Sequence, residues 1–195
     1  MNKHEYYIDQ YKQAHLDPKS FPGISIRYYV KDIDGLIKET EANTLLDFGC
    51  GKGQQYTNPT LMKKWGQPPN VVWGITPTLY DPAVKQYSNF PEGKFDGVIS
   101  TDVMEHVHED AVGHVLEQIF SKADKFVFLA IATYLGQMAK EKLPNGEQPH
   151  ITVRPDGWWI DQIKQHMPDN VIVSVCFNGR DSQRKQVLTR WRNTV

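Results

Sequence analysis

The chain has 195 residues, of which 39% are hydrophobic, a size that suits one globular domain with a substantial core. Its formal net charge is -1, so it lacks the overall basic excess typical of bulk nucleic-acid or membrane binders. The two cysteines form no CxxC pair, which argues against a disulfide framework or a zinc ribbon and fits a reducing, cytoplasmic compartment.

The first forty residues have a helical pattern with one break. Tyr7, Tyr11 and His15 recur at four-residue spacing, and FPG at 21–23 breaks this helical pattern. A second helix is predicted over 26–39, where apolar residues share one face.

The rest of the chain alternates between strand and helix patterns. Strands are predicted at 44–49, 70–75, 94–100, 125–131, 171–177 and 186–192, and helices at 54–65, 102–121 and 156–167. TLYDP at 78–82 either continues the second strand or forms a separate extended piece. The longest apolar run, FVFLAIA at 126–132, is too short to span a bilayer and suits a buried strand.

This alternation predicts an α/β fold of the Rossmann-like, doubly wound type, with a mostly parallel sheet and helices on both faces. The last two strands are expected to form an antiparallel edge. We expect a single domain, with residues 1–42 as the helical cap and 43–195 as the ligand-binding core.

LLDFGCGKGQQY at 45–56 places three glycines directly after a short apolar strand. Ligands of open α/β sheets bind beyond the carboxyl ends of the strands, and glycine lets backbone approach them closely. The GxGxG spacing differs from the dinucleotide pattern GxGxxG, and no ATP P-loop pattern is present. Asp47 suits a ligand with an ammonium or sulfonium group better than a phosphate. A tight turn without a ligand and a nicotinamide site are the alternatives.

LLDFGCGKG resembles motif I of the class I S-adenosylmethionine-dependent methyltransferases. KFDGVISTDVMEHV at 94–107 resembles the fourth-strand segment of the same family, and the order and separation of the two motifs fit. The resemblance covers about residues 43–178, and the chain is most similar to compact stand-alone members of bacterial or phage type. It implies S-adenosylmethionine as cofactor and a seven-stranded sheet with a late antiparallel strand.

In this family the glycine loop cradles the methionine part of the cofactor, and Asp47 would position that loop or the amino group. The cofactor-binding residues that the resemblance implies are Asp47, Gly49, Cys50, Gly51, Gly53, Tyr80, Asp81, Thr101 and Asp102.

The region after the second strand departs from the family pattern. The slot for the acidic residue that binds the ribose holds Thr76, and Asp81 follows five positions later. We favour Asp81 because a carboxylate can accept from both ribose hydroxyls, although a turn residue before Pro82 is the alternative. Only fourteen residues separate Asp81 from Asp96, so one strand and helix unit is expected to be reduced, and Tyr80 is a candidate for the adenine pocket.

Asp102, Glu105 and His106 are the candidate catalytic residues, because they cluster after the fourth-strand segment. Methyl transfer mainly requires alignment, and a base helps only where the nucleophile must lose a proton. His106 could be that base, since the ordinary pKa of histidine lies near working pH. Alternatively, His106 only hydrogen-bonds to a loop.

We assign no metal to the site, but a metal alternative stays open. Glu105, His106 and His150, with Asp102 as a further candidate, form a carboxylate–imidazole set of the kind that binds divalent ions. Metal-dependent small-RNA methyltransferases carry a similar ExxEH element, in which Asp102 would take the first position.

Substrate contacts are expected from two regions. HITVRPDGWW at 150–159 follows the fifth strand of the family pattern, and His150, Arg154 and Trp158 are its candidates. Tyr28 could line the cap. Packing against the sheet is the alternative for Trp158, and core packing is the alternative for Tyr28.

The sequence therefore predicts a methyltransferase that uses S-adenosylmethionine on a small-molecule acceptor, with no membrane partner. Methylation of RNA or nucleotides, and a non-catalytic interaction protein with the same fold, are the alternatives. A basic C-terminal stretch could bind nucleic acid, but a solvated edge strand and tail is the favoured interpretation. Its residues are Arg180, Arg184, Lys185, Arg190 and Arg192.

Overall fold

A computed structural model of the protein describes residues 2–60, 63, 66–134, 142–181, 183 and 185–193. Of the predicted features, positions 61, 62, 64 and 65 of the helix at 54–65 and Arg184 of the basic stretch lie outside the described residues.

Six strands form one sheet of order β2-β1-β3-β4-β5-β6. The strands are β1 (Leu45–Phe48), β2 (Thr78–Tyr80), β3 (Phe95–Thr101), β4 (Ala123–Ala132), β5 (Ile172–Arg180) and β6 (Gln186–Arg192). Neighbouring strands are parallel except for β5 and β6, which are antiparallel. The predicted mostly parallel sheet with a late antiparallel pair is confirmed.

Six α-helices around this sheet have bounds within the described part of the chain, and residues 59, 60 and 63 are helical as well. The six helices are α1 (Lys3–Ala14), α2 (Val30–Thr40), α3 (Gln54–Thr57), α4 (Pro69–Trp73), α5 (Val112–Ser121) and α6 (Asp156–His166). Asn2 begins α1 with a capping box, because its side chain accepts from the Glu5 N–H and the Glu5 side chain accepts from the Asn2 N–H. None of the described helices has the length and apolar character needed to cross a membrane.

The sheet buries an apolar cluster on each face, which is the doubly wound arrangement predicted. On one face, Val115, Leu116 and Ile119 of α5 and Trp159 of α6 pack against the sheet. On the other face, Ile33 of α2 belongs to a second cluster with residues of β1, β3 and β4. β4 is covered on both sides, since its last seven residues are all buried.

The strand predicted at 70–75 is wrong, because Pro69–Trp73 forms α4. Pro69 fixes the backbone angle suited to the first helical turn, and Gly74 ends the helix in the left-handed conformation, with φ of 67°. These two residues outweigh the strand preference of Val71 and Val72. The second strand instead lies at Thr78–Tyr80, within the TLYDP segment.

Two predicted helices are interrupted. α3 ends at Thr57 because Asn58 is extended, although residues 59, 60 and 63 are helical again. The helix predicted at 102–121 begins only at Val112 and is preceded by 3-10 turns at Met104–His106 and Glu109–Ala111. Asp102, with φ of 54°, lies in the left-handed region and cannot start a right-handed helix.

The region between β2 and β3 is reduced, as the short separation of Asp81 and Asp96 predicted. β2 is an edge strand of the described sheet, and a single 3-10 turn at Lys85–Tyr87 is the regular element between it and β3. Six strands are therefore present in the described residues where the resemblance implied seven.

Candidate functional site

The candidate site lies where the direction of strand connections reverses. β1 pairs with β2 on one side and with β3 on the other, so the carboxyl ends of these strands flank a crevice of the kind that binds ligands in open α/β sheets. A cavity of about 1040 Å³ opens there. Of the predicted cofactor residues, it is lined by Asp47, Gly49, Cys50, Gly51, Tyr80, Asp81, Thr101 and Asp102.

The glycine loop has a backbone that other residues adopt only with strain. Gly49, Gly51 and Gly53 have φ of 80°, 55° and 60°, all in the left-handed region. A Cβ on Gly49 would also lie 2.3 Å from Cγ2 of Val103. Gly53 itself packs towards Leu79 and Tyr87 rather than lining the cavity.

The loop is held in place by the end of β2. The backbone N–H groups of Gly49 and Cys50 donate to the carbonyl oxygen of Tyr80, at 2.7 and 3.1 Å. The Tyr80 ring packs edge-on against Phe48 and Phe90. Tyr80 thus lines the cavity while its carbonyl fixes the start of the glycine loop.

The Asp81 carboxylate connects the end of β2 to the glycine loop that follows β1. Oδ2 accepts from the N–H of Gly51 at 2.9 Å, and Oδ1 accepts from the N–H of Ala83 at 2.8 Å. Burial raises the pKa of Asp81, while hydrogen bonds from Ala83, Gly51 and Val84 oppose this shift. The structure places Asp81 directly after β2 and in the cavity wall, whereas Thr76 precedes β2 and is not part of that wall.

Asp47 is a buried carboxylate in the floor of the cavity. Its Oδ2 accepts from the Tyr56 hydroxyl at 3.0 Å and from Nε2 of Gln55 at 3.4 Å. Burial raises the pKa of Asp47 to about 7, and the two hydrogen bonds only partly offset this effect. A bound cationic group would therefore stabilise the ionised form of this residue.

A second acidic group, Asp102 with Glu105, follows β3. Glu105 is fully buried, and its Oε1 accepts from the N–H of Ala132 at 3.2 Å. Among the described residues, Oε2 of Glu105 and Oδ1 of Asp102 are buried without a hydrogen-bond partner. Burial and the neighbouring charge of Asp102 raise the pKa of Glu105 well above its usual value. Burial also raises the pKa of Asp102.

His106 is a neutral imidazole whose protonated nitrogen can be assigned. Its Nδ1 lies 2.9 Å from the carbonyl oxygen of Pro149, which can only accept, so Nδ1 carries the proton and Nε2 keeps a lone pair. Burial and nearby His150 lower the pKa of His106 to about 3. The expectation that this pKa lies near working pH is wrong, because desolvation opposes the charged form. The predicted alternative of a hydrogen bond from His106 to a loop is present.

His150 has the same arrangement as His106. Its Nδ1 lies 3.1 Å from the carbonyl oxygen of Tyr134, so Nδ1 is the donor here as well. The two imidazole rings pack edge to face, with their centroids 4.9 Å apart. Ligand atoms of Glu105, His106 and His150 all lie within 4.8 Å of one another, so the structure assembles the three residues named as the metal alternative.

The N-terminal cap covers this group of residues. The Tyr11 hydroxyl donates to the Pro149 carbonyl oxygen at 2.6 Å and lies 3.3 Å from Nδ1 of His106. The Phe21 ring packs edge-on against His106. A Cβ on Gly23 would lie 2.1 Å from the Cys50 carbonyl oxygen, so the FPG turn touches the glycine loop directly.

Sequence reasoning missed several of these contacts. It did not find Gln55 and Tyr56 as partners of Asp47, nor Tyr11 and Phe21 as neighbours of His106. The four-residue spacing of Tyr7, Tyr11 and His15 predicted a helical face but not what that face would cover.

The candidate substrate residues separate into two groups. His150 and Tyr28 line the cavity. Arg154 and Trp158 are not part of its wall: Arg154 pairs with Glu109 at 2.5 Å, and Trp158 packs partly buried against the main core cluster. Trp159 is fully buried.

Two arginines of the C-terminal basic stretch are paired with acidic residues of α2. Arg190 lies 3.3 Å from Asp32, and Arg192 lies 2.6 Å from Glu39. Both arginines face a helix of the same chain, as expected for an edge strand.

The Methyltransferase domain family model matches residues 25–168, which is most of the chain. The chain belongs to the methyltransferase domain family. The match contains the glycine loop, Asp81 and the segment from Asp102 to His106, so these parts of the cavity lie within the methyltransferase domain. α1, β5 and β6 lie outside it. A search of curated proteins found no match to this methyltransferase domain.

Proposed function

We propose that this methyltransferase domain uses S-adenosylmethionine as its methyl donor and acts on a small-molecule acceptor. One observation carries the choice of cofactor: two buried carboxylates, Asp47 and Asp81, flank a glycine loop at the wall of one cavity. Carboxylates favour a cationic, hydroxyl-bearing ligand and disfavour the pyrophosphate of NAD.

The residues present fit this cofactor. Gly49 leaves space that a Cβ would fill, and Asp47 can accept from an ammonium group. Backbone N–H groups of Gly51, Ala83 and Val84 use only part of the acceptor capacity of the Asp81 carboxylate, so the remainder can accept from ribose hydroxyls. When bound, S-adenosylmethionine supplies a sulfonium methyl group that a nucleophile takes by in-line displacement.

The chain's own contribution to catalysis is mainly alignment. The cap residues Tyr11 and Phe21 pack against His106 after β3. The cavity wall carries charged side chains of both signs, namely Asp47, Asp81, Asp102, Lys19, Arg27 and Arg180. His106, with a pKa of about 3, is a weak base at neutral pH. A group other than His106 must therefore accept the proton of the acceptor, unless the acceptor binds already deprotonated.

The cap contacts at His106 and the paired arginines of β6 support a small acceptor over RNA. A nucleic acid would need unpaired cations along a groove to follow its phosphates. Arg190 and Arg192, the cations of β6, are instead held by Asp32 and Glu39.

The test is calorimetric titration of the purified protein with S-adenosylhomocysteine, S-adenosylmethionine and NAD. We expect micromolar affinity for both S-adenosyl compounds, about -8 kcal/mol, and none for NAD. Folded protein that binds neither S-adenosyl compound would contradict the proposal and favour a non-catalytic interaction protein. Saturable binding of a short single-stranded RNA, measured by fluorescence anisotropy, would overturn the choice of acceptor class.

A further inference from the structure

Three side chains after β3 and β4 form a cluster with the composition of a metal site. Glu105, His106 and His150 each offer a ligand atom, and these atoms lie within 4.8 Å of one another. The cluster borders the cavity through His106, His150 and the neighbouring Asp102. Binding of S-adenosylmethionine alone does not call for such a set, which therefore needs its own explanation.

Both imidazoles are oriented as metal ligands are. A ligating histidine usually donates its other N–H to a carbonyl or carboxylate, which fixes the tautomer and the ring. His106 donates from Nδ1 to the Pro149 carbonyl, and His150 donates from Nδ1 to the Tyr134 carbonyl. In both rings Nε2 is left as the nitrogen with a free lone pair.

The Glu105 carboxylate gives support for a metal site that does not depend on the histidine orientations. It is fully buried, and the Ala132 N–H satisfies only Oε1. Oε2 is buried without a partner among the described residues, as is Oδ1 of the adjacent Asp102. Buried polar atoms are nearly always satisfied, so an unpartnered buried carboxylate oxygen on a residue that clusters with two imidazoles calls for a proton or a cation.

We propose that Glu105, His106 and His150 bind a divalent transition-metal ion. Two imidazoles and one carboxylate suit Zn²⁺, Mn²⁺ or Co²⁺ better than Mg²⁺ or Ca²⁺, which prefer oxygen ligands. Three protein ligands leave coordination positions open, as at catalytic rather than structural sites. The open positions border the cavity in which the acceptor is proposed to bind, so the ion would hold an acceptor by an oxygen atom. This last consequence alone rests on the proposed function.

The experiment measures metal binding directly and needs no cofactor or acceptor. Tag-free full-length protein, stripped with EDTA and dialysed, is titrated with Co²⁺ and followed by visible absorption, and with Zn²⁺, Mn²⁺ and Mg²⁺ by calorimetry. We expect one equivalent of Co²⁺ or Zn²⁺ to bind with micromolar or tighter affinity, and Mg²⁺ to bind at least tenfold more weakly.

Two ligand variants and one control locate the ion. Glu105→Gln keeps the acceptor for the Ala132 N–H, and His150→Gln changes a partly exposed ring, so both are expected to fold. Each should weaken Zn²⁺ binding by at least tenfold. His166→Gln, on α6 beside Glu117, should bind Zn²⁺ as the wild type does.

Several results would overturn the proposal. They are no stoichiometric binding by folded wild-type protein, unchanged affinity in whichever ligand variants fold, or an equal loss in His166→Gln. Equal affinity for Mg²⁺ and Zn²⁺ would overturn the choice of a transition metal. Failure of S-adenosylhomocysteine to bind would leave the metal result unaffected, so the two proposals fail separately.

Discussion

The carboxylate of Asp81 accepts a 2.9 Å hydrogen bond from the backbone N–H of Gly51. This bond joins the end of β2 to the middle of the glycine loop that follows β1. Because both residues line the cavity, the shape of the loop and the placement of the carboxylate depend on each other. Changes at either residue are therefore expected to alter ligand binding.

Replacement of Asp81 by asparagine should weaken S-adenosylhomocysteine binding at least tenfold. An amide offers one acceptor oxygen instead of two, so the Gly51 and Ala83 N–H groups and the ribose hydroxyls would compete for it. Calorimetry measures the change, and Asp161→Asn on the exposed face of α6 is the matched control. Equal affinities for the two variants would show that Asp81 does not contact the ligand.

Alanine at Gly49 should destabilise the protein by about 1–3 kcal/mol, because it forces a left-handed conformation on a residue with a Cβ. The new Cβ would also clash with Val103. Gly35→Ala is the matched control, since Gly35 lies in α2 with nothing within 4 Å of an added Cβ. It should stabilise the protein by about 0.5–1 kcal/mol. Urea unfolding measures both, and a neutral Gly49→Ala would contradict the described loop.

Binding of S-adenosylhomocysteine should weaken as pH falls below about 7. The pKa of Asp47 is raised by burial to about 7, so protonation below that pH removes the charge that attracts an ammonium group. Calorimetry between pH 5.5 and 8 in a constant-ionic-strength buffer measures this. The Asp47→Asn variant should bind S-adenosylhomocysteine more weakly than the wild type at pH 8, and its affinity should no longer fall as pH drops below about 7. A pH profile like that of the wild type would contradict the assignment.

The same carboxylate should affect folding with the opposite sign. Its folded-state pKa is raised above the unfolded value, so its stabilising contribution is full below about pH 4 and is lost as pH rises through about 7. Unfolding free energies of wild type and Asp47→Asn should therefore diverge between pH 4 and 7, with the wild type losing relative stability as pH rises. A constant difference over this range would refute the raised pKa.

Removal of the Tyr11 hydroxyl should loosen the cap. Tyr11→Phe removes the 2.6 Å hydrogen bond to the Pro149 carbonyl in a partly buried setting, at a cost of about 1 kcal/mol. Tyr7→Phe is the comparison, because the Tyr7 hydroxyl donates to exposed Glu147 and should contribute less. Hydrogen exchange in α1 measures the effect, and faster exchange in Tyr7→Phe than in Tyr11→Phe would contradict the account.

The parts of the fold that the sequence predicted correctly are those in which a local backbone or burial requirement restricts the residue types. Gly49, Gly51 and Gly53 are detectable because each needs a left-handed backbone, and the FVFLAIA run is detectable because β4 is buried on both faces. The strand prediction at 70–75 failed because Pro69 and Gly74, at the ends of that segment, set its conformation.

The remaining site contacts depend on tertiary packing. Tyr11 and His106 are 95 positions apart, and Pro149 joins them only because the loop before α6 folds back over the 3-10 turn at Met104–His106. The pKa of His106 likewise depends on desolvation by residues that its sequence neighbourhood does not contain. A pattern within one segment carries no information on such contacts.

A crystal structure of the protein with S-adenosylhomocysteine is the decisive measurement for the glycine-loop site. We expect the ligand in the cavity, with its amino acid part against Gly49–Gly51 near Asp47 and its ribose hydroxyls on Asp81. An S-adenosyl ligand bound away from the glycine loop, or a nicotinamide cofactor bound in its place, would contradict this assignment.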